Sequence, residues 1–238
     1  MMDQTALKAT DTQVSRAMRA VTQHMRVQQL RVGDSIPGEG YFADELNVSK
    51  AVMREAFGAL AALKILDVGN GRRARVGAID GSVFATSLDH GIGTAQISLP
   101  EVWDVRQTVE HRTAMLAAVH RTSAQAAEII RLAEMLALER DDLEQVTRDD
   151  IALHNAIALA SHNKLFVQIV ASFGPLMEVA VPAAWRTRAT EEQRTAMVEH
   201  HRALARAIAD KDAAAAGAAM HRHFDESIGD VMRAMSAP

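Results

Sequence analysis

The stretch that decides the fold is Leu30–Val76, LRVGDSIPGEGYFADELNVSKAVMREAFGALAALKILDVGNGRRARV. Gly33, Asp34 and Pro37 break whatever precedes them. A short helix fits Glu39–Leu46, with Phe42 and Leu46 one turn apart and facing inward. Asn47 suits a left-handed position between two helices. Ser49 is a good N-cap for a second helix carrying Val52, Ala56, Ala59, Leu60 and Leu63 on its buried side. Two short β-prone runs then flank Gly69-Asn70-Gly71, a hairpin signal. Upstream, Val14, Met18, Val21, Met25 and Leu30 approximate helical spacing. A helix, a helix–turn–helix and a hairpin, in that order, make a winged helix–turn–helix.

In such a unit the second helix enters the major groove of DNA and presents its N-terminal residues to the base edges. Here those residues are Ser49, Lys50, Ala51 and Arg54, with Lys50 and Arg54 one turn apart on the face away from the core. Arginine can bind guanine through two hydrogen bonds. In the hairpin, Arg72, Arg73 and Arg75 beside glycines suit phosphate or minor-groove contact.

Working outward, the whole chain has 238 residues, of which 48% are hydrophobic and 24% charged, enough apolar material for a packed core. Aromatic residues are 4%, Ala, Leu, Met, Glu and Arg are abundant, and a mostly helical protein follows. There is no Cys, which excludes disulfides, iron–sulfur clusters and zinc–thiolate sites. No apolar run reaches the length of a membrane span, and Met1–Thr10 lacks the apolar stretch of a signal peptide. The expectation is a soluble protein of a reducing cytoplasm, without a membrane partner.

Charge divides the chain. Residues 1–78 carry eleven Lys and Arg against eight acids, whereas the chain as a whole is at −4, so the rear piece is acidic. Only His24 precedes residue 78; the other nine histidines follow Asp89. We therefore expect two domains, 1–78 for DNA and 79–238 for something else. From about Pro100, helical patterns cover 100–120, 123–140, 147–161, 163–186 (disturbed at Pro175 and Pro182), 190–210 and 212–236. N-caps are expected at Ser123 and Asp212, with an acidic first turn after Thr190. The rear piece reads as an all-helical bundle, so the fold class is mainly α.

Within that bundle Asp150 and His154 stand at i, i+4 on one helix face. His201 interrupts the apolar stripe Met197, Leu204, Ile208, and His223 lies between Met220 and Phe224 on the next helix. A carboxylate and three imidazoles converging inside a bundle would make a divalent-metal site. Each residue also has a plainer reading: a core histidine satisfied by hydrogen bonds, or an acid placed in an early helical turn. Periodicity separates His200 and His221 from His201 and His223 only weakly.

The residues resemble a known family. Gly33-x-x-Ile36-Pro37-x-Glu39, Val48-Ser49-Lys50-x-x-Met53-Arg54-Glu55-Ala56-Phe57 and Gly71-x-x-x-x-Val76 look like the DNA-binding domain of GntR-type bacterial transcription regulators over about residues 12–78. That resemblance implies DNA contacts at Ser49, Lys50 and Arg54, with Gly71 in the wing tip. Gly40 and Lys50 stand where the family usually has arginine, and a usual glycine near Ala62–Lys64 is missing, which bears on operator preference.

The rear piece is similar to the FCD ligand-binding domain of the FadR subfamily, through Arg106-x-x-x-Glu110, Asp150-x-x-x-His154-x-x-Ile157, His201-x-x-Leu204 with Ala207-Ile208 and Asp212, and Met220-x-x-His223. The resemblance implies Asp150, His154, His201 and His223 as ligands of a divalent metal, Zn²⁺ first and Ni²⁺ or Fe²⁺ as alternatives, with His200 and His221 outside the set. It implies Arg106 and Asn163 in the effector pocket, where a small carboxylate or sugar acid would bind; Arg106 can also pair with Glu110 at i, i+4. A homodimeric repressor on a palindromic operator is the expected function. A helical-bundle metalloenzyme, or a DNA-binding structural protein without effector, are the alternatives; the first leaves the winged helix without a role and the second leaves the four ligands without one.

Overall fold

A computed structural model of the chain describes residues 12–69, 71–138 and 142–236. Met1–Thr10 and Asn70 of the expected hairpin turn lie outside the described residues, as does the expected C-terminal end of the 123–140 helix. The chain divides into two compact units at Val83–Phe84.

The first unit opens with α1 (Gln13–Val27), capped by the Thr12 hydroxyl accepting from Ser15 N. The chain leaves α1 through Gln29 at φ +54°, so this helix stops short of Leu30. Next come α2 (Glu39–Leu46) and α3 (Lys50–Ala62). Asn47 takes the left-handed conformation between them, and Ser49 Oγ accepts from Val52 N. Both follow from the side chains: Asn tolerates φ > 0, and a short hydroxyl satisfies a helical N–H that has no partner within the helix.

The buried face of α3 is Met53, Ala56, Phe57 and Leu60. This corrects the expected face: Leu63 is exposed and Val52 only partly buried. Met53, Phe57 and Leu60 stand at i, i+4, i+7 and bring the two larger side chains inward, where Phe57 meets Phe42 of α2. Val21, Ile36 and Leu66 complete this core.

The wing is two short strands, β1 (Leu66–Asp67) and β2 (Arg75–Val76), antiparallel with Leu66 opposite Val76. Ser35 forms an additional bridge to Arg75. Pairing stops at Asp67 and Arg75, so the connection between the strands is longer than the tight turn that Gly-Asn-Gly led us to expect. At its base Gly77 N donates to Ile65 O, and a Cβ on Gly77 would sit 2.3 Å from the Lys64 carbonyl oxygen. Only glycine permits that approach.

The second unit holds the rest of α4 (Ser82–Gly93), then α5 (Leu99–His120), α6 (Ser123–Leu138), α7 (Leu143–Ala160), α8 (Lys164–Ser172), α9 (Gly174–Thr187), α10 (Glu191–Ala209) and α11 (Ala213–Ser236). Periodicity gives no helix between residue 79 and Pro100, and α4 is the element it misses. The expected 163–186 helix is two helices bent by 54°, with Pro175 in the first turn of α9 where its missing N–H costs nothing. Pro182 lies inside α9 without ending it. The α6 cap is Thr122, whose hydroxyl accepts from Gln125 N, rather than Ser123. Asp142 caps α7, which starts earlier than the expected 147. Thr190 and Gln193 form a capping box on α10, and Asp212 accepts from Ala215 N at the start of α11.

Helix α11 packs on α5, α9 and α10, while α6 packs on α7 and α10 and α5 on α7. Leu136, Leu153, Ile157, Leu204, Ile208, Met220 and Phe224 fill the centre. Small residues let the helices close up; a Cβ on Gly217 of α11 would meet the His111 ring of α5 at 2.9 Å. Among the described residues no single helix is long and apolar enough to cross a membrane.

Candidate functional site

Four buried side chains meet where α7, α10 and α11 face one another: Asp150 and His154 from α7, His201 from α10 and His223 from α11. Each of the three histidines offers a ring nitrogen within 4.8 Å of the others. The His201 and His223 rings are 4.5 Å apart between centroids, and those of His154 and His223 are 5.1 Å apart. Asp150 Oδ1 is 3.2 Å from His201 Nε2.

Hydrogen bonding fixes the direction in which these rings present their lone pairs. His201 Nδ1 is 3.0 Å from the Met197 carbonyl. A carbonyl only accepts, so Nδ1 carries the proton and neutral His201 has a bare Nε2. His154 Nδ1 meets Glu110 Oε2 of α5, and the same reasoning leaves its Nε2 bare. That atom is buried without a partner, as are His201 Nε2 and His223 Nδ1. A bare nitrogen facing a carboxylate oxygen at 3.2 Å is a pair of acceptors, a conflict that either a proton on His201 Nε2 or a cation between the two atoms resolves. A divalent cation provides the second of these, and a three-imidazole, one-carboxylate donor set suits Zn²⁺, Ni²⁺ or Fe²⁺.

The protonation states agree with this chemistry. Burial depresses the His223 pKa well below the usual imidazole range, and the neighbouring His201 and His154 depress it further, so the ring is neutral and able to ligate at pH 7. Burial raises the Asp150 carboxyl, but His201, His154 and His223 outweigh that and hold it far below the carboxylate range. Burial likewise raises Glu110, and Arg106 with His154 reverses the shift, so Glu110 is also ionised.

Glu110 is the residue that sequence reasoning undervalued, since it stood there only as the Arg106 partner. It does pair with Arg106, whose Nε lies 2.5 Å from Oε1, and its other oxygen orients His154. Spacing exposed the first contact; the second joins residues on different helices and has no local signal. Conversely, His200 faces Glu226 at 3.2 Å, and the exposed His221 contacts Gln107 and Asp225, so neither joins the cluster.

Beside the cluster lies a small cavity of about 30 Å³, lined by Asp150, His201 and His223 together with Arg106, Trp103 and Arg188. Of the two residues expected in an effector pocket, Arg106 lines this cavity; Asn163 is exposed, its Oδ1 accepts from Leu165 N and Phe166 N as the cap of α8, and it is not part of the cavity wall.

In the first unit Ser49, Lys50 and Arg54 are all exposed at the start of α3. Arg54 Nε is 3.9 Å from Glu39 Oε2, with its side chain 78% exposed. The wing arginines differ from one another. Arg72 pairs with Asp67 at 2.7 Å, Arg75 donates to the Gly33 carbonyl at 3.0 Å, and Arg73 is exposed. Gly71 is exposed at φ +72°.

Comparison with known proteins places both units. Residues 13–76 match the model described as "Bacterial regulatory proteins, gntR family", and residues 101–226, more than half of the chain, match the FCD domain. The Glc operon transcriptional activator of Escherichia coli is 32% identical over 153 residues, which are 62% of this chain and 60% of that activator, so the match spans about three fifths of its length. The regulator LutR of Bacillus subtilis is 27% identical over 209 residues, covering 86% of this chain and 94% of LutR. A Streptococcus agalactiae GntR structure shares the fold at a TM-score of 0.62 and 21% identity, over 89% of this chain and 97% of that one. With a winged reading head and a helical bundle each matched by its own domain model, the chain belongs to the GntR family of bacterial transcription regulators and carries an FCD domain.

Proposed function

We propose that this regulator binds a palindromic operator as a homodimer, and that a small organic acid or sugar acid held at a divalent metal in the FCD unit controls its affinity, most simply by relieving repression. The observation that carries the reading is the cluster of buried, bare imidazole nitrogens on His154, His201 and His223 beside the Asp150 carboxylate, in contact with a cavity that Arg106 also lines.

Asp150, His154, His201 and His223 would hold the cation, with Zn²⁺ the first candidate and Ni²⁺ or Fe²⁺ the others. The cation would supply a Lewis-acidic position for a carboxylate oxygen. Arg106, fixed by Glu110 and stacked near Trp103 and Phe224, would take another oxygen of the acid with its planar fork. The cavity wall draws on α5, α7, α9, α10 and α11, so an occupant contacts several helices at once. It shifts operator affinity only as far as its own affinity differs between two arrangements of the dimer. At the other end, Lys50 and Arg54 would read base edges, and Ser49, Gly71, Arg72, Arg73 and Arg75 would hold the backbone. A two-fold pair of heads matches a palindrome.

Elemental analysis of the purified protein, followed by melting of the metal-loaded form with a panel of small carboxylates and sugar acids, tests the proposal. About one divalent metal per chain and a rise in Tm with at least one acid are expected. No metal after incubation with Zn²⁺ or Ni²⁺ would remove the basis of the sensing role.

A further inference from the structure

Helix α3 carries a glycine that its own packing does not call for. Gly58 lies in the interior of the helix, exposed, with its φ outside the left-handed region, and a Cβ placed on it would meet no atom within 4 Å. Alanine would fit there and would hold the helix better, because glycine has more backbone freedom to lose on folding. A residue that stability disfavours and packing does not require answers to something outside the fold. Ala51, Arg54 and Gly58 stand at i, i+3 and i+7, so they share one face of α3, and all three are exposed, away from the buried Met53, Phe57 and Leu60. By this face the second helix of a helix–turn–helix meets the major groove. The arginine therefore has a small residue one turn before it and another one turn after it.

Ala51 has neither donor nor acceptor beyond its backbone, and the apolar group that base edges present in the major groove is the C5-methyl of thymine. Ala51 precedes Arg54 by about 4.5 Å along the helix axis, close to one base-pair step of about 3.4 Å. The two side chains thus reach neighbouring base pairs. A methyl as short as that of alanine touches the groove floor only if the helix sits deep, and a side chain at 58 would stand between the helix and the duplex.

We propose that Ala51 is a specificity-determining residue, its methyl packed on the C5-methyl of a thymine beside the guanine that Arg54 reads, with Gly58 as the clearance that lets α3 seat deeply enough for that contact. This rests on the reading of Lys50 and Arg54 as base contacts.

The test uses the full-length protein and a palindromic duplex that it selects from a random pool. Replacing each thymine in turn by deoxyuridine removes only the methyl. One position in each half-site, next to a G·C pair, should weaken wild-type binding by roughly 4-fold, as burial of one methyl implies. Ala51→Gly should bind the thymine and deoxyuridine forms of that position equally. Gly58→Ala should raise the Tm and yet weaken binding of the selected duplex by about 10-fold or more, as overpacking a close contact does, with affinity for a random duplex little changed. Wild-type binding indifferent to deoxyuridine at every thymine overturns the assignment. So does a loss that persists in Ala51→Gly, since another residue then meets the methyl. Gly58→Ala that gains stability with undiminished affinity overturns the clearance, and with it the deep seating. The deoxyuridine scan of the wild type needs no variant, so it decides even if Ala51→Gly folds poorly. Any of these results spares the base-reading role of Lys50 and Arg54, whereas a pool that enriches no sequence sinks that role and the inference together.

Discussion

Glu110 holds His154 through Nδ1 and Arg106 through Nε, so one buried carboxylate fixes both a candidate metal ligand and a candidate effector ligand. The contact leaves His154 Nε2, a buried atom, as the unprotonated nitrogen of the neutral ring. Replacing an acid in this relation to a ligating histidine commonly lowers metal affinity about 10- to 100-fold. Glu110→Gln should show a loss of that size in chelator competition, with the donor set itself intact. Unchanged affinity would mean that Glu110 serves Arg106 alone.

The cluster itself predicts metal content. His201→Ala should bring bound metal from about one per chain to none, and chelation should lower the Tm of the wild type but not of this variant. At a free metal concentration 100-fold above Kd, the metal-bound wild type gains about 2.7 kcal/mol from mass action. A variant that keeps its metal would place the ion elsewhere.

Arg54 is exposed at the N-terminal turn of α3 and lies far from the Glu39 carboxylate for a firm pair. Arg54→Ala should weaken operator binding by about 1–3 kcal/mol if it reads a guanine. Metal content should not change. Loss of both together, by fluorescence anisotropy and elemental analysis, would speak against separate roles for the two units.

Ser49 caps the same helix. Ser49→Ala removes the acceptor of Val52 N and should destabilise the reading unit by about 1 kcal/mol. Ser49→Asp should restore stability yet weaken operator binding, because it sets a carboxylate among the phosphates. If Ser49→Asp binds as tightly as the wild type, Ser49 does not face DNA.

Asn163 separates family expectation from local chemistry. As the α8 cap, Asn163→Ala should cost about 1 kcal/mol of stability, Asn163→Asp much less, and neither should change the affinity for an acid. An Asn163→Ala protein of normal Tm and impaired acid binding would return the residue to the pocket.

Much of this architecture is legible one helix at a time. Asn47, Ser49, Thr190 and Asp212 mark their boundaries because capping is local chemistry. The pairing of Asp150 with His154 follows from the helical repeat. Tertiary geometry accounts for what the chain conceals. The inward face of α3 is settled by Phe57 meeting Phe42, and a count of apolar residues along one helix cannot register that neighbour. Helix α4 carries three glycines within or beside its apolar pattern, and the break at Phe173 falls two residues before the proline that advertises it. Glu110 against His154 and the unpaired Trp103 N–H join or isolate groups across helices, and no spacing rule encodes them.

The base of the wing has a last consequence. Because Gly77 rests against the Lys64 carbonyl, the ribbon is anchored directly to the segment that leaves α3. An alanine there would have to pry the two backbones apart, tilting the wing away from the recognition helix. Operator grip would then fail even though every arginine remained in the sequence.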